Sequence, residues 1–166
     1  MSDPSAEATY IVSLREIVWG GLLVGVTLVI HGFGMLAVLR FTDAFKRRFE
    51  QHPSFIGSIS NLILASWIIT AVHLMEVIMW AGFFQWNRCF ANYSTASYFV
   101  LMEYTTVGSV YDLPQRWRLL EGMIATAGLL GFAWSTGVLM TLAQDFQNQE
   151  IQRRQQRRQA AAKSSG

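Results

Sequence analysis

Three long apolar stretches, at residues 17–39, 56–84 and 117–143, limit what this chain can fold into. At about 1.5 Å per helical residue, each is long enough to cross a hydrocarbon layer of about 30 Å. The chain has 166 residues and is only 14% charged, whereas soluble domains carry about 25% charged residues. We therefore predict an all-α membrane protein with three transmembrane helices.

The stretch between the second and third apolar segments does not read as a simple turn. Residues 94–104 are apolar and aromatic but too few to cross a bilayer, and residues 104–114 read YTTVGSVYDLP. We predict a short helix over 94–104 that enters the membrane part-way, and an extended polar strand at residues 105–112. Irregular backbone at membrane depth is tolerated only where it is buried in protein or lines water. The pattern therefore predicts a re-entrant pore helix and filter loop.

Residues 105–108, TTVG, resemble the start of the potassium-channel selectivity filter TTVGYGD. Two flanking stretches are similar to small bacterial three-helix members of that superfamily. They are HLME at 73–76 followed by WA at 80–81, and WRLLEG at 117–122 followed by GFAWST at 131–136. The resemblance covers over half of the chain. It implies a tetrameric pore-loop channel with outer helix 56–84, pore helix 94–104, filter 105–112 and inner helix 117–143.

The sequence departs from the family after the first filter glycine. It reads SVYD at 109–112 where the family has YGD, so one residue is added and the second glycine is absent. Glycine adopts positive φ without steric cost, and a β-branched residue such as Val110 does not. We expect only the inner half of the filter to form and to pass both K⁺ and Na⁺. The residues expected to bind the permeant ion are Thr106, Val107, Gly108 and Ser109.

Three membrane helices cannot surround a water path and also shield it from lipid, so a closed symmetric oligomer is expected. The resemblance implies a homotetramer that contacts membrane lipid. We expect no enzyme activity, no nucleic-acid partner and no cofactor other than the permeant K⁺ and Na⁺. The sequence does not indicate whether accessory subunits bind. The single cysteine, Cys89, excludes an intrachain disulfide.

Charge distribution predicts the orientation in a cell membrane. The first connecting segment and the C-terminal tail are basic, and short basic segments stay cytoplasmic. The N-terminus is then outside and the C-terminus cytoplasmic, which is the orientation that the resemblance also implies. The predicted divisions are an extracytoplasmic segment 1–16, an additional helix 17–39, a cytoplasmic loop 40–55, a pore domain 56–143 and a cytoplasmic tail 144–166.

Acidic and aromatic residues next to the predicted filter are further candidates. Four copies of Asp112 would form an acidic ring that concentrates cations at the outer mouth, although a solvated loop acid fits equally well. Tyr111 is either the displaced filter tyrosine or a residue of the outer vestibule. Glu103 ends a helix whose dipole disfavours an acid there, so we expect it to hydrogen-bond behind the filter or to be protonated.

Two further pairs lie within the predicted spans. His73 and Glu76 are three residues apart and share one helix face, and the resemblance makes them a structural polar pair of the outer helix. These two side chains alone are too few for a metal site. Gly128 and Gly131 lie mid-way along the inner helix, where they serve either as a gating hinge or for close packing.

Two other functions are compatible with parts of the sequence. His31 and His73 permit bis-histidine ligation of a haem in a redox membrane anchor, which would not need the TTVG motif. A non-conducting subunit that modulates other channels would explain the altered filter. Haem absorbance of the purified protein would identify the redox anchor. Assembly with another channel subunit, without ion flux through this chain alone, would identify the modulatory subunit.

Overall fold

The computed structural model describes residues 12–49 and 55–164, and every regular element within them is helical. Two long helices come first, a short helix and a 3-10 turn follow, and a third long helix ends the described chain. In chain order they are α1 (Leu14–Phe49), α2 (Phe55–Trp86), α3 (Tyr93–Tyr104), the turn Gln115–Trp117 and α4 (Leu119–Ser164).

Three of these helical stretches are long and apolar enough to cross a membrane, namely Leu14–Phe45, Ile59–Trp86 and Gln115–Gln155. The prediction of an all-helical, multi-pass membrane protein is confirmed at this level. α1 and α4 extend beyond the predicted spans. Residues 40–49 contain neither glycine nor proline, and the tail is rich in the helix formers Gln, Arg and Ala. The predicted segment 1–16, loop 40–55 and tail 144–166 each lie partly outside the described residues.

The chain divides into two compact units. The first comprises Met1–His31 and His73–Phe132, and it contains the whole of α3. Its core is dominated by aromatic side chains that are almost completely buried, because α3 and the ends of the long helices contribute large apolar residues to one cluster. They include Trp80, Phe84, Phe99, Tyr104 and Trp117.

The second unit comprises Gly32–Val72 and Ala133–Gly166, and its core is aliphatic. Met35, Ile69 and Leu142 are among the buried residues that form it. A Cβ at Gly34 would lie 2.6 Å from Cγ2 of Val72. α1 and α2 therefore approach closely at this small residue, as small residues allow in membrane helices.

Glu16 joins the beginnings of two helices within the first unit. The Ser13 amide donates to Glu16 Oε2 at 3.0 Å and the Glu16 amide donates to Ser13 Oγ at 3.3 Å, which is a capping box for α1. Glu16 Oε1 also accepts from the Leu119 amide at 3.2 Å, at the first residue of α4. One buried carboxylate thus satisfies amides that neither helix can pair internally.

Replacing Glu16 with alanine is expected to destabilise the chain by about 1–3 kcal/mol, because the Ser13 and Leu119 amides lose their acceptor. The measurement is thermal unfolding of the detergent-solubilised full chain, followed by circular dichroism. Glu150→Ala is the matched control. Among the residues that the structure describes, Glu150 makes helix-surface ion pairs to Arg153 and Arg154 at 3.6 Å, which are worth about 0.5 kcal/mol each. Equal losses in both variants would contradict the capping role.

Candidate functional site

The short helix α3 is defined by a cap at its first turn and by one buried face. Asn92 Oδ1 accepts hydrogen bonds from the backbone amide of Thr95 at 2.8 Å and from its hydroxyl at 2.9 Å. Asn92 is therefore the N-cap of α3. The buried side of the helix is formed by Ala96, Phe99, Val100 and Tyr104. α3 therefore packs against the aromatic core while its C-terminal end leads into the TTVG segment.

α3 ends in a Schellman motif built from the predicted filter residues. The Val107 amide donates to the Met102 carbonyl at 3.0 Å, and the Thr106 amide donates to the Glu103 carbonyl at 2.9 Å. Thr106 has φ +61° and Gly108 has φ +82°. The backbone at residues 105–108 therefore folds back on α3, whereas an extended strand was expected. The physical reason is that the last carbonyls of a helix need donors, and this segment supplies them.

Thr106 occupies a backbone conformation that is costly for its side chain. A β-branched residue in the left-handed region is a genuine outlier, and such positions cost about 1–3 kcal/mol. Glycine is the usual residue at this position of a Schellman motif. Strained backbone clusters at functional sites, which makes Thr106 a stronger candidate than the sequence motif alone.

Glu103 holds the next part of the segment. Its Oε1 accepts a hydrogen bond from the Ser109 amide at 2.8 Å, and Ser109 Oγ accepts from the Tyr111 amide at 3.1 Å. Glu103 thus lies against the 105–112 segment and bonds to it. The side chains of Val107 and Val110 are 68% and 87% exposed. The segment presents apolar side chains outward from a well-bonded backbone.

Asp112 lies at the far end of this segment in an exposed ion pair. Its Oδ1 is 3.4 Å from Nη2 of Arg118. The ring of Tyr111 meets the ring of Tyr98 edge-on, with 6.2 Å between centroids. The neighbouring Leu113 amide donates to Glu121 Oε1 at 2.8 Å, which ties the end of the segment to α4.

A buried polar cluster lies at the C-terminal end of α3. Glu76 and His31 are completely buried, and His31 Nδ1 is 2.9 Å from Glu76 Oε1. The Tyr104 hydroxyl donates to Glu76 Oε2 and lies 2.8 Å from His73 Nδ1. His73 Nδ1 is 3.7 Å from Glu76 Oε2. The predicted His73–Glu76 pair is therefore part of a four-residue cluster drawn from α1, α2 and α3.

The hydrogen bonds of this cluster are mutually consistent when Glu76 is ionised. A carboxylate only accepts, so the Tyr104 hydroxyl donates to it, and the same hydroxyl oxygen accepts from His73. His31 supplies a second donor to the carboxylate. Both carboxylate oxygens of Glu76 thus have a donor, which is the condition for keeping a carboxylate within an apolar helix.

The sequence analysis missed Tyr104 and gave His31 only a haem-ligating role. His31 carried a usable signal, because an ionisable residue inside a membrane span needs a partner. Tyr104 carried none that distinguishes it from other aromatic residues at the end of a helix. Its role depends on where α3 packs.

Gly128 and Gly131 pack directly against Tyr104. A Cβ at Gly128 would lie 2.0 Å from the Tyr104 carbonyl oxygen, and a Cβ at Gly131 would lie 3.0 Å from its hydroxyl. The ring of Phe132 is 5.6 Å from the Tyr104 ring and 4.6 Å from the His73 ring. α4 packs so closely on the end of α3 that a side chain larger than glycine would collide with Tyr104 at Gly128 and contact its hydroxyl at Gly131.

Cys89 lies in the turn between α2 and α3 and is partly buried. Burial raises the pKa of its thiol, against a smaller opposite effect of Arg116. The thiolate is therefore disfavoured at neutral pH, which fits a turn residue without a chemical role.

Comparison of the chain with family models, with curated proteins and with solved structures finds no match. The resemblance to potassium channels therefore stays a prediction drawn from the sequence motifs.

Gly128→Ala is expected to destabilise the chain by about 1–3 kcal/mol, because the added methyl group overlaps the last carbonyl of α3. Gly122→Ala is the matched control on the same helix, where a Cβ meets nothing within 4 Å. That substitution should be neutral or stabilising by up to about 1 kcal/mol, since alanine is the better helix former. The measurement is the midpoint of thermal unfolding in detergent. A neutral Gly128→Ala variant would contradict this packing.

Proposed function

We propose that this chain is the subunit of a homotetrameric cation channel of the pore-loop potassium-channel type. In this proposal α2 is the outer helix, α3 the pore helix, residues 105–112 the filter and α4 the inner helix. α1 is an additional span. The N-terminus is outside the cell membrane and the tail is cytoplasmic.

The observation that carries the proposal is the geometry of α3 and the segment after it. Its 12 residues correspond to about 18 Å, which is too short to cross about 30 Å of hydrocarbon. It stands between two helices that are long enough to cross. A short helix with one buried face, followed by irregular backbone, indicates in a membrane protein a segment that lines water or is covered by protein.

The backbone carbonyls of the TTVG segment support a cation-binding role. Within residues 12–49 and 55–164, the carbonyl oxygens of Thr106, Val107 and Gly108 accept no hydrogen bond. Oxygens of this kind, arranged in rings, replace the hydration shell of a permeant cation. The amides that share peptide groups with these carbonyls belong to Val107, Gly108 and Ser109. They donate to the Met102 carbonyl and to Glu103 Oε1, so the carbonyls point away from α3.

The same segment supports limited selectivity. Between residues 105 and 112, positive φ occurs only at Thr106 and Gly108. Val110 lies close to the place of the family's second filter glycine. It does not have positive φ, as expected for a β-branched residue. Positive φ is therefore present in the inner half of the segment and absent from the outer half. We propose that K⁺ and Na⁺ pass at comparable rates.

The direct test is ion flux through purified full chain in liposomes, with K⁺, Na⁺ and a large organic cation compared at acidic and neutral pH and under an imposed potential. The expected result is flux of both inorganic ions, exclusion of the organic cation and a tetramer in detergent.

Thr106→Ala should change the K⁺/Na⁺ flux ratio, because it removes a hydroxyl and a strained β-carbon branch from the segment.

Thr70→Ala is the matched control for Thr106→Ala, since the Thr70 hydroxyl donates to the Ser66 carbonyl of its own helix. Failure to form a tetramer, or absence of cation flux under all of these conditions, would overturn the channel proposal. If both threonine substitutions change the K⁺/Na⁺ flux ratio equally, residues 105–112 are not the filter.

A non-conducting, modulatory subunit is the second candidate. The observation that favours it is the Schellman motif, which closes the start of the predicted filter onto α3. This function predicts no flux from the purified chain and assembly with a conducting partner. A haem anchor is less well supported, because the tilted rings of His31 and His73 have centroids only 5.1 Å apart, and a porphyrin between them would require both side chains to move.

The Asp112–Arg118 pair makes a separate prediction for the channel. Arg118→Gln should raise conductance at low ionic strength severalfold, and Asp112→Asn should lower it, because Arg118 partly neutralises the acid at the mouth. Both side chains are exposed, so the effects should fade at high salt. Arg116→Gln is the charge-matched control, since Arg116 bonds to the Asn87 carbonyl instead. Identical effects of both arginine substitutions would indicate general surface charge and contradict a specific role of Asp112.

A further inference from the structure

The buried cluster of His31, His73 and Glu76 has the composition and spacing of a metal site. Each residue offers one ligand atom, and these atoms all lie within 4.8 Å of one another. They belong to two different helices, α1 and α2, so the arrangement is a product of the fold. The sequence alone supplied two of these ligands, which is too few. The third, His31, comes from a position 42 residues before His73 in the chain.

Two of the three separations between ligand atoms lie near the values expected for a tetrahedral ion, and all three are within 4.8 Å. Two ligands that are each about 2.0–2.2 Å from such an ion lie about 3.3–3.6 Å apart. His31 Nδ1 lies 2.9 Å from Glu76 Oε1, which is below this range, and His73 Nδ1 lies 3.7 Å from Glu76 Oε2, which is just above it. Side-chain shifts of a few tenths of an ångström, without movement of the helices, would bring these two pairs into that range.

The donor set selects a class of ion. Two imidazole nitrogens and one carboxylate are a known zinc ligand set, which leaves one position of a tetrahedron for another oxygen. Mg²⁺ and Ca²⁺ prefer oxygen ligands throughout, and Cu(I) prefers sulfur, which this cluster lacks. Tyr104 would not bind the ion itself. Its hydroxyl donates to the Glu76 carboxylate and would orient this ligand.

Charge balance gives the cluster a reason to bind a cation. With neutral imidazoles, the ionised Glu76 leaves a full negative charge completely buried in an apolar helix. Hydrogen bonds from His31 and Tyr104 offset part of this cost. A divalent ion would offset more, and it would use the same Nδ1 atoms once each imidazole carries its proton on Nε2.

We propose that His31, His73 and Glu76 bind one divalent transition-metal ion of the Zn²⁺ class, with Tyr104 orienting the carboxylate. The ion joins α1 to α2 next to the end of α3. Its role is to hold these helices together, because His31 and Glu76 are completely buried and His73 is 9% exposed. The proposal does not depend on ion conduction.

The first test is elemental analysis of the untagged full chain, purified in detergent without chelator. The expected result is about one zinc ion per chain. The second test uses protein stripped with chelator and titrated with Co²⁺, which should produce visible absorption bands at about one ion per chain and lose them on addition of Zn²⁺. Both measurements use the unaltered chain, so they do not depend on whether a variant folds.

Variants assign the ligands. His31→Ala, His73→Ala and Glu76→Gln should each remove the zinc and the Co²⁺ bands. His52→Ala is the matched control, because His52 is the only other histidine of the sequence and lies outside the described residues. Tyr104→Phe should keep the ion but lower its affinity about 10–100-fold, as loss of an outer-shell partner does.

Two results would overturn the proposal. One is less than about a tenth of a metal ion per chain as purified, together with no saturable binding of Zn²⁺ or Co²⁺ to the stripped protein. The other is metal content that His52→Ala abolishes and His31→Ala retains. In either case the cluster is a hydrogen-bonded network alone, and the channel proposal is unaffected.

Discussion

The carboxylate of Glu76 is the interaction on which the rest of the first unit depends. A buried acid in an apolar helix costs several kcal/mol unless other groups compensate it. Here His31 from α1 and Tyr104 from α3 both bond to it. Because each partner comes from a different helix, satisfying one charge also aligns three elements. Removing either partner leaves the acid partly unpaired, which makes this arrangement hard to exchange for another.

Tyr104 links this cluster to the segment that follows α3. Its hydroxyl belongs to the cluster, its ring packs beside Phe132, and its carbonyl lies against Gly128. The next residues form the C-terminal cap of the helix and then the strained turn at Thr106. The position of the TTVG segment is therefore set from behind by packing and hydrogen bonds at Tyr104. Within that frame, Glu103 fixes the segment locally through the Ser109 amide.

Part of this site was predictable from residue pattern and part was not. The short helix, its Asn92 cap and the bond from Glu103 to the segment follow from local rules, since caps and helix ends involve neighbours in the chain. The pairing of His73 with Glu76 follows from helical spacing. No local rule predicts that His31 and Tyr104 join the cluster, because they are 45 and 28 residues from Glu76 in the chain.

The sequence by itself determined that this is an all-helical chain with three apolar spans and one short helix between the last two. Hydropathy and length suffice for that, because every backbone polar group in a membrane must be satisfied within its own helix. Only the tertiary structure decided which polar side chains meet inside those spans and how the TTVG segment leaves α3. Those outcomes depend on the rotation and depth of each helix against its neighbours. Close contacts such as Gly128 on Tyr104 set these quantities, and an apolar pattern leaves them open.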